Sequence, residues 1–409
     1  MLKTITKYQH AVFSAILIII RSAVGFGVQK LVAVAYGPVG TTLISHFQNL
    51  ISIFTQPVQD VIVNGLINAF PKKDFEKSKI IGASLHLLLI LLSGTAFILF
   101  LKYIFNESLF SFSFSQWVLI VISIMLFSLG LILSAIYVVE KKLKIFLSIF
   151  SFQWLLFFLI VLLYEFELNE FLLFWLIIQA IFTLILYLPI KNLFKINFKL
   201  DNKIKNHFKQ FLIIGFTVLI SNKWVDYFVR EYAVQEFGQN ESGLWQAVVR
   251  LSEAYRGLII SFLFLTFYPS ISKAISSDTI KSTILRKHFL LYLVLSLMLI
   301  IILFLFSDQL LTLLYNREYS QANYLFRLQL VGDFLAILSF PFAIYLLARV
   351  NTYSYIFAEI LSTIVFIIVI LLKLGNGIDS IVIAHICRFI IYSISISAIS
   401  VNDLKNVSN

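Results

Sequence analysis

The chain has 409 residues, of which 60% are hydrophobic and only 13% are charged, and its mean hydropathy is +0.94. Soluble domains carry about 25% charged residues, so this composition excludes a soluble protein, which could not cover its exterior. The composition predicts an all-α integral membrane protein, because a backbone in lipid must satisfy its own hydrogen bonds within helices.

Apolar runs predict about twelve transmembrane helices, most of them longer than the roughly 20 residues that cross a bilayer. The predicted spans lie at 10–35, 41–69, 79–102, 116–139, 145–164, 170–190, 210–236, 243–270, 287–306, 324–347, 352–373 and 378–401. No cleavable signal peptide is expected, because the first apolar run is too long and lacks a small-residue cleavage site. The single cysteine, Cys387, excludes an intramolecular disulfide.

The basic residues indicate the orientation of these spans. When alternate loops are assigned to opposite sides, 21 Lys and Arg residues fall on one side, 3 on the other and 8 inside spans. The richer side is cytoplasmic by the positive-inside rule, so both termini are predicted to be cytoplasmic. This topology explains the net charge of +11 without a nucleic-acid partner. The basic stretch from Lys191 to Lys209 is predicted either to contact anionic membrane lipid or to be a solvated connector.

The two halves of the chain share a sequence pattern. Tyr36-Gly37 precedes the second span and Phe237-Gly238 precedes the eighth, and these spans end at Phe70-Pro71 and Tyr268-Pro269. Because six spans separate the two occurrences, the halves have the same orientation and are predicted to be parallel repeats.

The repeat predicts two six-helix bundles related by a pseudo-two-fold axis along the membrane normal. The N-terminal bundle is predicted to cover 1–197, a basic cytoplasmic linker 198–209, and the C-terminal bundle 210–409. Transporters built in this way carry the substrate site between the halves, and access alternates as one half rocks against the other.

Polar and ionisable side chains inside the spans form stripes at helical spacing. An ionisable group at the centre of a membrane helix costs at least ~2.5 kcal/mol on insertion scales, so each is a candidate functional residue. Each stripe is expected to face protein or a water-filled cavity and not lipid. The stripes lie in the second span (His46, Asn49, Gln56, Asp60, Asn64), the seventh (Lys223, Asp226, Arg230), the eighth (Gln246, Arg250, Glu253, Gly257) and the twelfth (His385, Arg388, Tyr392).

A mixed but net positive cavity suits a pyrophosphate attached to a sugar, because arginine binds phosphate bidentately and keeps its charge. The candidate residues for binding pyrophosphate and glycan are Arg21, Lys223, Arg230, Arg250, Arg256, Arg388, Asn49 and Gln246. The candidate ion-coupling or cavity acids are Asp60, Asp226, Glu253 and Glu359. The alternative interpretation is that these residues form interhelical salt bridges that fix the bundle.

Motifs for catalysis and metal binding are not found in the sequence. The six histidines are scattered and form no HExxH motif, and there is no cysteine cluster or phosphate-cradling GxxxxGK[ST] loop. We therefore expect no catalytic residues, no metal or other cofactor, no ATP hydrolysis by this chain and no enzymatic activity.

The segments around the second and eighth spans resemble one transporter family. The resembling segments are Tyr36-Gly37-Pro38-Val39-Gly40, Phe47, Leu50-Ile51, Asn64-Gly65, Gly243-Leu244-Trp245-Gln246, Leu251-Ser252-Glu253-Ala254-Tyr255 and Tyr268-Pro269. The chain resembles the O-antigen and enterobacterial-common-antigen flippases of the multidrug/oligosaccharidyl-lipid/polysaccharide exporter superfamily. Thr42 departs from the family pattern, in which a further glycine is common at this position.

The resemblance implies a cargo and a location. The cargo would be an undecaprenyl-pyrophosphate-linked oligosaccharide, moved from the cytoplasmic to the periplasmic leaflet of the bacterial inner membrane during lipopolysaccharide or related surface-glycan synthesis. It would pass by alternating access through a cationic central cavity, which matches the positions of Arg21, Lys223 and Arg250. The implied further partners are other surface-glycan assembly proteins, namely a polymerase and a chain-length regulator.

Three other functions remain open at this point. A multidrug exporter of the same superfamily would bind organic cations and needs acids without so many intramembrane arginines. A polysaccharide polymerase or membrane glycosyltransferase needs a sizeable extracytoplasmic loop, whereas the predicted loops on that side reach only about a dozen residues. A purely structural membrane protein would have no reason to carry polar stripes on several helices.

Overall fold

The structure of the chain is a computed structural model, and its described parts are helical. It describes the backbone of residues 2–70, 76–104, 112–140, 142–193, 202–276, 282–349, 351–375 and 377–408, and side chains at fewer positions. These ranges contain no strand, so the predicted all-α fold is confirmed.

The helices of the first half follow the predicted spans. They are α1 (Leu2–Pro57), a π-helical segment (Val58–Val63), α2 (Asn64–Ala69), α3 (Lys77–Ile104), α4 (Phe114–Val139), α5 (Leu143–Leu163), α6 (Leu168–Tyr187) and a 3-10 helix (Leu188–Leu193). The start of α4 lies close to the predicted start at 116 because a side-chain cap begins the helix there. The Ser113 side chain accepts from the Gln116 backbone N–H, and the Gln116 side chain accepts from the Ser113 backbone N–H, which is a capping box.

The second half contains helices that the sequence did not predict. Its elements are α7 (Asn202–Val218), a π-helical segment (Leu219–Trp224), α8 (Val225–Ser276), α9 (Ser282–Leu305), α10 (Ser307–Leu314), a 3-10 helix (Arg317–Ala322), α11 (Asn323–Ala348), α12 (Thr352–Leu371) and α13 (Asp379–Ser408). The part of α9 from Tyr292 to Leu305 makes an angle of 71° with α10. The sequence indicated only a loop here, because an eight-residue helix has too few turns to show a periodicity.

α1 and α8 each join two predicted spans through one glycine. Gly37 has φ 61° and ψ −161°, and Gly238 has φ 81° and ψ 168°. Only glycine adopts this backbone region readily. The two glycines occupy corresponding positions in the sequence pattern of the two halves, so a repeat of backbone conformation accompanies the repeat of sequence.

The chain is a multi-pass membrane protein. Eight described helical stretches are long and apolar enough to cross a membrane, and the bent pair of α9 and α10 is a ninth candidate. α8 carries ionisable residues such as Arg250, Glu253 and Arg256 inside a predicted span. A helix of this composition within a membrane bundle is expected to bury its charges or to serve a ligand.

The chain forms two compact units. The first unit comprises Met1–Tyr36 and Leu43–Tyr227, and the second comprises Gly37–Thr42 and Phe228–Asn409. The boundaries predicted from the sequence, with a linker at 198–209, stay predictions, and residues 194–201 lie outside the described part of the chain.

The core of the first unit contains an aromatic cluster and an aliphatic one. The Phe47 ring lies 5.9 Å from Phe112 and 6.5 Å from Trp175 between ring centroids, in edge-on geometry. Val61 and Ile136 are fully buried in the aliphatic cluster. Packing of this kind fixes the helical segments of the first unit that carry Asn49 and Asp60.

Ion pairs join residues near the ends of helices within each unit. Lys77 pairs with Glu140 at 2.9 Å, and Arg349 pairs with Asp403 at 3.1 Å. In each pair both residues belong to the side predicted to be cytoplasmic. A third pair joins Lys373 to Glu236 at 2.5 Å on the side predicted to be extracytoplasmic, and the hydrogen bond raises the pKa of the lysine.

Candidate functional site

α8 holds a buried arginine at one end of a short polar chain. Arg230 Nη1 donates to Gln246 Oε1 at 2.9 Å, and Gln246 Nε2 donates to Ser242 Oγ at 3.0 Å. The Arg230 guanidinium also lies 5.9 Å from the Trp245 ring centroid, a cation–π contact. Arg230 and Gln246 are both buried. These contacts together hold the guanidinium in one orientation.

This chain depends on the break in α8 at Gly238. Arg230 and Gln246 are 16 residues apart, which would separate them by about 24 Å along a straight helix. The positive φ of Gly238 interrupts the helix between them and allows the contact. The glycine of the repeat pattern therefore helps to build the polar group.

Glu253 and Arg250 complete this group. Glu253 Oε1 lies 3.8 Å from Arg230 Nη2, and the glutamate side chain is 52% exposed. Arg250 is half-buried and interacts electrostatically with both Arg230 and Glu253. Among these residues, one carboxylate lies beside two guanidiniums. We call Arg230, Gln246, Arg250 and Glu253 the α8 cluster.

Two tyrosines on the segment after α10 support Arg250. The rings of Tyr315 and Tyr319 stack at 4.8 Å between centroids, and both residues interact electrostatically with Arg250. The Tyr315 hydroxyl donates to the Ala247 carbonyl at 3.0 Å, and the Tyr319 hydroxyl shares a 2.5 Å hydrogen bond with Thr41 Oγ1. The unpredicted segment after α10 therefore fixes the surroundings of the α8 cluster.

Asp333 on α11 is the centre of a second polar group. The side chain is fully buried, and its Oδ2 accepts from Ser252 Oγ at 2.5 Å and from the Tyr255 hydroxyl. Its Oδ1 lies 2.9 Å from His385 Nε2 and 3.4 Å from Arg256 Nε. α8, α11 and α13 thus meet at one carboxylate, and Arg256 supplies the charge that allows its burial.

Arg388 and Glu359 form a third polar group between α13 and α12. The Arg388 Nη2 atom lies 3.2 Å from Glu359 Oε1, and both side chains are largely buried. The Arg388 guanidinium lies 5.5 Å from the Phe366 ring centroid and 5.7 Å from that of Phe389. The contacts of Arg256 and Arg388 match the salt-bridge interpretation that the sequence left open, whereas the α8 cluster has more guanidiniums than carboxylates.

In the first unit, two predicted site residues lie on π-helical segments. Asp60 belongs to Val58–Val63 and accepts from Gln56 Nε2 at 2.9 Å, while Lys223 belongs to Leu219–Trp224 and interacts electrostatically with Asp60. π-Helical turns are rare and occur often at functional sites. They also widen the turn, so α-helical spacing does not extend through Asp60 or from Lys223 to Arg230.

The remaining predicted residues have less structural context. The Arg21 side chain lies outside the described part of the chain, and Asp226 is half-buried in the first turn of α8. Asn49 is buried, and its Oδ1 accepts from Ser52 Oγ at 3.2 Å. Among the described side chains, the amide nitrogen of Asn49 has no hydrogen-bond partner.

The sequence singled out the residues of the α8 cluster and placed His385 in a polar stripe, but it did not predict the contact of His385 with Asp333. Both are ionisable residues inside predicted spans, so the cost of burial was a signal for each of them. Their pairing joins two helices, which spacing within one helix cannot reveal. Among the described residues, no group of three or more His, Cys, Asp or Glu side chains could hold a metal ion.

The α8 cluster can bind an anion. A guanidinium held by neighbouring side chains presents parallel N–H donors to phosphate or carboxylate oxygens and remains charged in a low-dielectric site. The exposed carboxylate of Glu253 limits the positive charge while no anion is bound. The Asp333 and Arg388 groups are already balanced by opposite charges and are therefore poorer anion sites.

Comparisons with known proteins identify the fold. No family model matches the chain, and no curated protein matches it in sequence. An inward-facing multidrug resistance MATE family transporter of the MOP superfamily aligns with a TM-score of 0.75 at 11% identity, covering 95% of each chain. An outward-facing structure of such a transporter aligns with a TM-score of 0.71 at 12% identity, covering 97% of this chain and 94% of the other.

A third solved structure has the same fold and a different binding pocket. It is a MOP superfamily transporter from Pyrococcus furiosus, with a TM-score of 0.68 at 12% identity, covering 97% of this chain and 95% of the other. Its binding pocket is described as having reverse polarity, which suggests a different function for that protein. The chain therefore has the fold of the MATE transporters of the MOP superfamily.

Proposed function

We propose that this chain is an alternating-access flippase for a polyprenyl-pyrophosphate-linked oligosaccharide. It would move the glycan headgroup from the cytoplasmic to the periplasmic leaflet of a bacterial inner membrane. In this proposal both termini are cytoplasmic, and a polymerase and a chain-length regulator of surface-glycan synthesis act with it. The cargo is moved without a change in its covalent structure.

The fold supports the transport part of the proposal. Structures of the same fold are known in inward-facing and in outward-facing conformations. A chain of this fold is therefore expected to expose a site to each side of the membrane in turn. The glycine-linked repeat in α1 and α8 agrees with transporters built from two similar halves.

The α8 cluster is the observation that carries the choice of cargo. It places Arg230 and Arg250 beside the carboxylate of Glu253 within a membrane bundle. Such a group favours an anionic ligand, and two guanidiniums match the two phosphates of a pyrophosphate. Lys223 in the first unit is a further candidate contact, already balanced in part by Asp60.

A cargo of this kind needs a protein to carry its headgroup across the membrane. A charged sugar headgroup cannot cross ~30 Å of hydrocarbon unaided, whereas the lipid tail can stay in the bilayer while the head passes. An inside-negative potential assists the outward movement of an anion by ~2.3 kcal/mol per charge per 100 mV. Asp60, Glu253 and Glu359 remain candidates for ion coupling.

Export of organic cations is the second candidate function. Two of the solved structures with this fold are multidrug resistance transporters. An organic cation would require an acidic site, whereas the α8 cluster has an excess of arginine. The reverse pocket polarity described for the Pyrococcus furiosus transporter supports the idea that one fold serves ligands of different charge.

The proposal is tested by removing the arginines one at a time. Arg230→Gln and Arg250→Gln are made in a strain that depends on this chain, and surface glycan is measured per unit of membrane-inserted protein. Loss of glycan at normal abundance is expected for both. Lys223→Gln and Arg21→Gln test the sequence prediction in the same way.

Arg317→Gln is the matched control, because this arginine is exposed at the start of the 3-10 helix after α10. The control is expected to keep normal glycan. Normal glycan at normal abundance in the Arg230 and Arg250 variants would contradict the proposed site.

A further inference from the structure

His385 Nε2 faces two groups that make opposite demands on it. The nitrogen lies 2.9 Å from the side-chain nitrogen of Gln329 and 2.9 Å from Asp333 Oδ1. An amide nitrogen can only donate a hydrogen bond, whereas a carboxylate oxygen can only accept one. One ring nitrogen cannot accept from Gln329 and donate to Asp333 at the same time. The presence or absence of a proton on Nε2 therefore decides which bond forms.

We propose that His385 and Asp333 form a proton-binding site in the second unit, whose proton switches Gln329 between two hydrogen-bonding states. Without a proton on Nε2, the ring carries its hydrogen on Nδ1 and accepts from the Gln329 amide. Uptake of a proton from solvent converts the ring to imidazolium, which donates Nε2–H to Asp333. Gln329 must then turn its amide oxygen toward the ring or move away. Release of the proton to solvent restores the first state.

The packing of α13 against α11 brings the His385 ring close to the backbone of α11. A Cβ atom added at Gly332 would lie 2.5 Å from His385 Cδ2 and 3.2 Å from its Nε2. Only the absence of a side chain at Gly332 lets the ring approach α11 next to Asp333. Gln329 lies one helical turn before Asp333, is 2% exposed, and so cannot exchange its partner for bulk water.

The charges around His385 are balanced when the ring is neutral. Two guanidiniums face two carboxylates, so proton uptake adds one net positive charge to a buried group. Imidazole is the side chain that gains or loses a proton most readily near neutral pH. The titratable and charged groups of this cluster are Asp333 on α11, Arg256 and Tyr255 on α8, Arg388 and Tyr392 on α13, and Glu359 and Tyr355 on α12.

The switch would act on the packing of three helices. Gln329 Nε2 also lies 3.5 Å from Ser252 Oγ and 3.4 Å from Asp333 Oδ1. Turning its amide therefore changes contacts of α11 with α8 and α13 together. This inference goes beyond the proposed function, because it requires neither a glycan cargo nor ion-coupled transport.

The test follows the imidazole directly in the full chain. The protein is labelled with 15N-histidine, placed in lipid nanodiscs and observed by NMR from about pH 5 to about pH 9. The His385 signals are assigned by their loss in His385→Gln. We expect them to change from an Nδ1–H imidazole to an imidazolium within this range. A single unchanged protonation state throughout the range, or a neutral ring that carries its hydrogen on Nε2, would overturn the proposal.

A second variant tests the role of Gln329. Gln329→Met removes the competing donor and conserves the side-chain volume, so the midpoint of the His385 titration is expected to move upward by about one pH unit. Gln309→Met on the exposed surface of α10 is the matched control and should leave the midpoint unchanged. An unchanged midpoint in Gln329→Met would refute the switch.

Discussion

Replacement of Gly243 by alanine tests the packing at the start of the eighth predicted span. A Cβ atom at this position would lie 1.9 Å from the Pro38 carbonyl oxygen, 2.4 Å from its carbonyl carbon and 2.8 Å from its Cα. A carbon–oxygen contact of this kind needs about 3.3 Å. The oxygen must therefore move by about 1.4 Å, and as a backbone atom it cannot rotate away.

The cost follows from what must move. Overpacking costs about 1–3 kcal/mol when side chains can adjust, and here the segment Gly37–Thr42 must shift. The shift would also strain the 2.6 Å hydrogen bond from Thr42 Oγ1 to the Gln239 carbonyl, which contributes about 1 kcal/mol. We expect Gly243→Ala to lower the free energy of unfolding by about 3 kcal/mol or more.

Thermal unfolding of the purified chain in detergent measures the effect, with membrane abundance as a second observable. The matched control is Gly257→Ala on the same helix, because a Cβ atom there meets nothing within 4 Å. Alanine at that position should leave stability unchanged or raise it slightly. Equal stability of the two variants would refute the close approach of Gly243 to Pro38.

Three further predictions concern polar contacts, each measured by unfolding of the purified chain. Asp333→Asn should lower the free energy of unfolding by about 3–5 kcal/mol, because Arg256 loses its buried counter-charge, and should cost less in an Arg256→Met background. An equal cost in both backgrounds would contradict the pairing. Gln153 Nε2 donates to Gln179 Oε1 at 2.6 Å. Gln153→Leu should lower the free energy of unfolding by about 1–3 kcal/mol, because it leaves Gln179 without its donor. Leucine at both positions should recover most of this loss. Lys373→Gln should have no measurable effect near neutral pH, because solvent and salt screen its exposed pair with Glu236. Since the pKa of Lys373 is raised in the folded chain, any contribution of that pair is lost only as the pH rises through the raised value.

The sequence predicted the long helices well because long apolar runs leave the backbone no alternative in lipid. The run at 116–139 became α4 (Phe114–Val139), and the run at 145–164 became α5 (Leu143–Leu163). α10 was missed, because eight residues carry too weak a periodic signal. The π-helical segments were also missed, because the hydrophobic pattern does not reveal the local change in residues per turn.

The candidate site could be predicted only within single helices. The spacing of Gln246, Arg250 and Glu253 identified one face of α8, and the structure joins Arg230 to that face through the break at Gly238. The contact of Asp333 with His385 was not predictable, because residue spacing within a single sequence carries no signal for pairs on different helices. Spacing that assumes a regular α-helix also fails to extend through the π-helical turn at Lys223.

Transbilayer movement of the cargo tests the central claim most directly. Lipid-linked glycan is extracted from cells that lack this chain and placed in vesicles with the purified protein, and its appearance in the opposite leaflet is followed. We expect movement with the unchanged chain and with Arg317→Gln, and its loss with Arg250→Gln. A folded, reconstituted chain that moves no pyrophosphate-linked glycan but exports organic cations would contradict the claim.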